Sequence, residues 1–291
     1  MATLPYYHVD VFTDVPFAGN GLTVFTESEK LSKQAMLKLT QEMRQFESTF
    51  LQHIDGQKFK ANIFTCNEEL NFAGHPILGA AATLHDLFQP GDGYATWEFV
   101  LNNKTVQVST QKEAGIFKAT MNQGKAVFNS ELDETQTAWI LKSLNLDESD
   151  LYPNFRPQII STGLPYVILP LRQNALKAKI SIDNLEEIIR SWGAMFVGTL
   201  EIPGLSIRTW DNRGLVEDSA TGSLAGPSGA FLVKNGLQVY DTEFVLNQGH
   251  NLGRPAKLIV KIDSITDDVY VSGNVCKIAA NSLTAYDDLV K

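Results

Sequence analysis

The chain has 291 residues, enough at roughly 100–200 residues per domain for two domains or one large one. Hydrophobic residues make up 44% and charged residues 20%, with 21 Gly and 11 Pro, values of an ordinary globular protein that exclude disordered, collagen-like and low-complexity classes. Acidic residues outnumber basic ones 33 to 24, a net charge of -9, which opposes phosphate backbones and anionic lipid surfaces and argues against a nucleic-acid or membrane partner.

Two cysteines, Cys66 and Cys276, are too few for a disulfide framework, and neither sits in a metal-binding spacing. The opening residues lack the apolar run of a signal peptide, and no stretch approaches the roughly 18 apolar residues of a membrane span. A soluble chain in the reducing cytoplasm is the expectation.

Taken in order, Tyr6–Phe12 reads as a strand, Pro16–Asn20 as a turn and Leu22–Phe25 as a second strand. Ala35, Met36, Leu39 and Met43 recur at helical spacing behind Ser32, a candidate N-cap. Glu47 follows that helix and opens a strand over Ser48–Leu51. A polar turn at Asp55-Gly56 leads to a second strand over Ala61–Thr65. Pro76 fits the first position of an Ala-rich helix, preceded by Gly74-His75. Residues 95–128 read as a meander of strands.

A second pass follows, with a helix at about 134–144, strands at 158–161 and 166–171, a helix at about 183–192 and strands at 194–200 and 204–211. Glu217–Ser223 then precedes a small-residue helix over Leu224–Leu232, and the closing stretch is strand-rich, with no element for Leu289–Lys291. The shared order of helix, strands and glycine-led helix suggests an internal repeat. The polar stretch 121–133 marks the boundary, giving an N-terminal lobe over 1–121 and a C-terminal lobe over 128–275, with 276–291 packing back on the first.

Chemistry is expected at the two glycine-led helix starts, where unpaired N–H groups and the positive end of the helix dipole suit a carboxylate or a developing negative charge. The alternative for Gly74 and Gly222 is tight chain reversal alone. His75 at a helix start favours a neutral imidazole able to hydrogen-bond a ligand, against a capping or surface role. Glu47, expected to be flanked by the aromatic rings of Phe46 and Phe50, suits general acid/base work in that apolar setting, against exposure on a strand face. Asp218 precedes the second start, where its alternative is simple capping.

Together these residues carry a family pattern. His8–Thr13, Pro16–Asn20, Glu47–Phe50, Phe64-Thr65, Phe72–Pro76, Leu78-Gly79, Thr162–Tyr166, Glu217–Ser223, Gln248-Gly249 and Gly253–Pro255 run in order over nearly the whole chain. The chain resembles the PhzF-like isomerase family of phenazine biosynthesis, which has the diaminopimelate-epimerase-type fold. The resemblance implies an α/β (α+β) protein of two similar lobes. Each lobe is a central helix wrapped by a curved, mostly antiparallel sheet, and the site lies between them. It implies Glu47 as the general acid/base that moves a proton between carbons of a dihydro-3-hydroxyanthranilate-type substrate. His75 and Asp218 orient that substrate, and Gly74, Gly222, Ser223 and Asn20 bind it. No metal or organic cofactor is implied, the partner is a small carboxylate-bearing substrate, and a homodimer is expected.

The chain departs from the family at Phe46, where a small polar residue is common, and at Ser219, Cys66 and Gly21, where Pro is common. These departures leave the expected site positions in place and bear on substrate identity. Three other readings compete. A two-thiol racemase needs cysteines at the helix starts, which hold Gly74-His75 and Gly222-Ser223 instead. A non-catalytic binding protein would keep the scaffold without the chemistry. A metal hydrolase is the weakest, since the 5 histidines include no HxxxH or HxH pair.

Overall fold

The computed structural model describes residues 3–284, so Leu289–Lys291 lie outside the described residues. In chain order the first elements are β1 (Leu4–Val11), β2 (Asn20–Phe25), α1 (Lys33–Met43), β3 (Glu47–Asp55), β4 (Lys58–Thr65), β5 (Glu69–Leu70), α2 (Gly74–Phe88), β6 (Gly93–Val100), β7 (Thr105–Glu113) and β8 (Ile116–Lys125). They continue with β9 (Val127–Glu131), α3 (Glu134–Ser143), β10 (Gln158–Ser161), β11 (Pro165–Leu171), α4 (Leu185–Ser191), β12 (Phe196–Glu201), β13 (Ser206–Thr209), α5 (Gly222–Lys234), β14 (Phe244–Gln248), β15 (Ala256–Ile262) and β16 (Asp268–Leu283). The described residues form two compact units, 3–121 with 272–284, and 122–271.

In the first unit β1 pairs antiparallel with β2 and with the end of β16, β2 runs parallel to β3, and β3 pairs antiparallel with β4. β4 then runs parallel to β6, which begins the antiparallel meander β6–β7–β8 read from the sequence. This sheet wraps α2, which packs on β1, β2, β3, β6 and β7. Every α2 residue from Gly74 to His85 is buried, so this stretch of the helix is enclosed on all sides, as a central helix must be. At Gly79 a Cβ would lie 2.5 Å from Leu22 Cδ2 and 3.0 Å from Val11 Cγ2, so glycine allows the close approach of helix and sheet. α1 covers the outer face of β3 and β4, where Phe25 stacks on Phe50 at 4.6 Å and Phe50 meets Phe64 edge-on at 5.8 Å. Ser32 caps α1 through Ala35 N–H as the sequence predicts.

The second unit repeats the same topological steps. β11 runs parallel to β12 across α4, β12 pairs antiparallel with β13, β13 runs parallel to β14 across α5, and β14 pairs antiparallel with β15. α5 is the central helix, packed on β10, β11, β13 and β15. Leu132, Ile140, Leu141, Leu144, Leu185 and Ile189 close a separate core over the sheet's other face, with Trp139 against Trp192.

Two helix starts differ from the sequence reading. α2 begins at Gly74 and not at Pro76, and α5 at Gly222 and not at Leu224. Pro76 is tolerated inside the first turn because an N–H there has no intrahelical partner to lose. The consequence is that His75 and Ser223 belong to the first helical turns themselves.

One buried titratable group outside these starts sets a pH dependence. His85, on α2, is 1% exposed. Its Nδ1 lies 2.8 Å from Thr110 Oγ1, which also accepts Trp97 Nε1–H at 3.0 Å. Burial pushes the imidazole below its ordinary value, the Lys112 ammonium adds to this, and Asp86 opposes it. Because the folded protein holds this histidine neutral more strongly than the unfolded chain does, its stabilising contribution is full above about pH 6.5 and is lost as pH falls. The melting temperature is expected to fall between pH 7 and pH 5, and His85→Gln to flatten that slope; an unchanged slope in thermal scans would contradict the assignment.

Candidate functional site

In the first unit three of the sequence-selected residues come together. α1 ends on Arg44 in the left-handed region, φ 54°, and the chain enters β3 at Glu47, paired with Leu22 of β2 and Thr65 of β4. Alternate residues of a strand share a face. Thr49, on the same face as Glu47, donates to the Pro76 carbonyl of α2 at 3.4 Å, whereas Phe50 lies in the outer core under α1. Glu47 therefore faces the start of the central helix, and its residue exposure is only 8%. The expectation of a carboxylate between aromatic rings is corrected here. Phe46 is 39% exposed and Phe50 points to the opposite face, so shielding comes from the sheet and from α2.

His75 meets Glu47 directly. Its Nε2 lies 3.0 Å from Glu47 Oε2, with both side chains at most 10% exposed. The pair is close without being aligned as a hydrogen bond. The other ring nitrogen, Nδ1, lies 3.4 Å from Asn20 Nδ2. Asn20, assigned to substrate on the sequence, thus has its amide on the histidine. Gly74 opens the same helical turn. The N-cap Ala73 offers no side-chain cap and the first turn holds no acidic residue, in contrast to α3, whose start is closed by the Asp133–Gln136 capping box.

In the second unit Asp218, Gly222 and Ser223 lie on one continuous segment. Asp218 does not cap α5 by itself, since the N-cap is Thr221 and no side chain caps it. Asp218 Oδ2 accepts the Thr221 hydroxyl at 2.5 Å and Oδ1 accepts Ala220 N–H at 3.4 Å. Gln248 ties this turn down, accepting Thr221 N–H at 2.8 Å and donating to the Asp218 carbonyl at 2.8 Å. Ser223 Oγ lies 2.9 Å from the hydroxyl of Tyr166, itself 3% exposed. Gln123 Nε2 donates to the Gly222 carbonyl at 3.0 Å and its Oε1 accepts the Thr162 hydroxyl at 2.7 Å. A Cβ on Gly226 would lie 2.1 Å from Gln123 Oε1, so that helical position must be glycine for the bridge to form.

Sequence reasoning gave no role to Tyr166, Gln248, Gln123 or Arg208. Tyr166 and Gln248 sit inside motifs that carry the family resemblance, which was the available signal. Gln123 and Arg208 had none. Arg208 forms a bidentate pair with Glu217, Nε to Oε1 at 2.7 Å and Nη2 to Oε2 at 2.8 Å. Its Nη1 donates to the carbonyls of Ala175 and Ala178, and its guanidinium lies 4.7 Å from the Trp210 ring. Asn251 also donates to Glu217. The pair anchors the residue next to Asp218.

Among the described residues no group of three or more His, Cys, Asp and Glu side chains is placed to hold a metal ion. No helix among them is long and apolar enough to cross a membrane. The two cysteines are free thiols.

Comparison with known proteins decides the family. The model of the phenazine biosynthesis-like protein family matches residues 9–280. The chain belongs to that family. It is 29% identical over 287 residues to the trans-2,3-dihydro-3-hydroxyanthranilate isomerase of Pseudomonas chlororaphis, covering 92% of this chain and 95% of that protein. It is 28% identical to the uncharacterized isomerase YddE of Escherichia coli (strain K12), covering 92% of this chain and 94% of the relative. A solved structure from Pseudomonas aeruginosa, named a predicted epimerase, superposes with a TM-score of 0.91 at 43% identity, covering 97% and 99% of the two chains. A hydroxyproline epimerase from Agrobacterium vitis shares the fold alone, with a TM-score of 0.61 at 11% identity over 99% and 94% of the two chains. The architecture is thus the diaminopimelate-epimerase-like α/β fold, and the chain is an isomerase of the PhzF type.

The Arg208–Glu217 pair gives a stability test. Removing one partner of a buried pair strands the other charge at a cost of about 3–5 kcal/mol, while replacing both by apolar residues is often tolerated. Arg208→Met is expected to lose that amount in chemical denaturation, and the Arg208→Met/Glu217→Met double variant to recover part of it, the Ala175 and Ala178 carbonyls losing their donor in both. Equal losses in the single and double variants would show that the pair's charges are not what matters.

Proposed function

We propose that this protein is a cofactor-independent isomerase that moves a proton between carbons of a small carboxylate-bearing substrate, with Glu47 as the general acid/base. The observation that carries this reading is the buried approach of Glu47 Oε2 to His75 Nε2 at 3.0 Å, at the uncapped start of α2. A carboxylate shielded from water can take a proton from one carbon and, as the acid so formed, return it to another while the substrate's electron pair relocates. Proton count and charge are unchanged over the cycle, so a single group is sufficient.

In this reading His75 and Asp218 orient the substrate, and the N–H groups at Gly74, Gly222 and Ser223 receive its carboxylate or the negative charge that develops during transfer. The absence of side-chain caps at both helix starts supports that use. Two-thiol racemisation finds no support, because Cys66 and Cys276 lie outside both starts. A homodimer in a reducing cytoplasm is the proposed setting, testable by sedimentation of the purified chain.

The substrate of the Pseudomonas isomerases, trans-2,3-dihydro-3-hydroxyanthranilate, is the first probe, followed by other small unsaturated carboxylic acids. Incubation in deuterated water is expected to place deuterium on a substrate carbon. Glu47→Gln should lower that exchange about 10²–10⁴-fold while leaving binding nearly intact. Exchange retained in Glu47→Gln would remove Glu47 from the role, and binding with neither exchange nor isomerisation of the bound acid by the unaltered chain would favour a non-catalytic binding protein.

A further inference from the structure

The side chain that reaches the back of the His75 ring bears on which of its nitrogens carries the proton. Asn20 is 2% exposed and opens β2, its backbone paired with Val11 of β1. The preceding residue, Gly19, has φ +61°, and a Cβ there would lie 2.2 Å from the Val11 carbonyl oxygen. Only glycine fits, so the direction in which the chain enters Asn20 is fixed. The other side of the same turn is held by Asp10, 1% exposed, whose Oδ2 accepts Phe17 N–H at 2.7 Å. The Asn20 amide is therefore presented to His75 by a turn locked at both ends, with Nδ2 at 3.4 Å from Nδ1.

With the amide nitrogen turned to the ring, the imidazole nitrogen facing it must offer a lone pair. In a neutral ring the proton then resides on Nε2, the atom that faces Glu47 Oε2 at 3.0 Å. The opposite tautomer would set a lone pair against a carboxylate oxygen and an N–H against the amide's NH₂ group.

We propose that Asn20 is a positioning residue that selects the Nε2–H tautomer of His75, making the histidine a hydrogen-bond donor to Glu47. A slight turn of the ring or carboxylate then aligns the donor on the carboxylate that takes the first proton. Only this catalytic consequence rests on the reading of Glu47 given above; the tautomer itself does not.

The test is nitrogen NMR of the full chain with ¹⁵N-labelled histidine, at about pH 8, where an ordinary imidazole is neutral. His75 is assigned by the signal lost in His75→Asn. In the unaltered protein Nδ1 is expected in the unprotonated range and Nε2 in the protonated range. Asn20→Asp presents only acceptors, so Nδ1 is expected to move to the protonated range, with folding checked by circular dichroism. A proton on Nδ1 in the unaltered protein would overturn the proposal, and this holds even should Asn20→Asp fail to fold. A folded Asn20→Asp with Nδ1 unchanged would overturn it as well. The outcome is separable from the deuterium experiment: the tautomer can be as described while Glu47→Gln remains active, or the reverse.

Discussion

A carboxylate taken out of water must be answered by something, or the site does not persist. At Glu47 the facing group is the imidazole of His75, 3.0 Å away, and the local architecture of the first unit brings those two groups together. Glu47 lies at the first residue of β3, on the face turned to the central helix. His75 lies in the first turn of that helix, where a positive end and unpaired N–H groups already favour negative charge. The close fit of α2 into its sheet at Gly79 holds the distance between strand and helix start. Deep burial of the whole helix makes that distance a property of the core and not of a mobile loop.

The second unit shows the same scaffold used differently. The turn that starts α5 is tied by side chains on several elements. Gln248, Gln123, Tyr166 and Thr162 all terminate on residues 218–223 or on one another. Such a network fixes the backbone N–H groups before any ligand arrives, so little reorganisation is left to be done on binding. The neighbouring Arg208–Glu217 pair is fully supplied with partners, which is the condition under which a buried ion pair is tolerated.

Much of this fold was legible in the sequence. Helical spacing and Ser32 located α1, the Asp55-Gly56 turn located the β3–β4 hairpin, and the alternating runs over 95–128 located the meander. The helix starts were misplaced by a turn's fraction because Pro76 and Leu224 look like first positions, while glycine gives no propensity signal of its own. The face of Glu47 was not legible. Its neighbours Phe46 and Phe50 suggested an aromatic pocket, yet strand alternation and the position of α1 send Phe50 to the other side. The partners of Asn20, Asp218 and Ser223 are distant in sequence, and a single chain without pairing information carries no pattern that names Gln123 or Arg208.

The central claim is that Glu47 and His75 act as one unit. The most direct measurement is a double-mutant cycle on the rate of solvent-deuterium exchange, using Glu47→Asp, His75→Asn and the two together. Interdependent groups predict that the double variant is little slower than the worse single variant, as residues acting jointly in catalysis show. Losses that simply multiply would mean that the two side chains act independently, and would contradict the account.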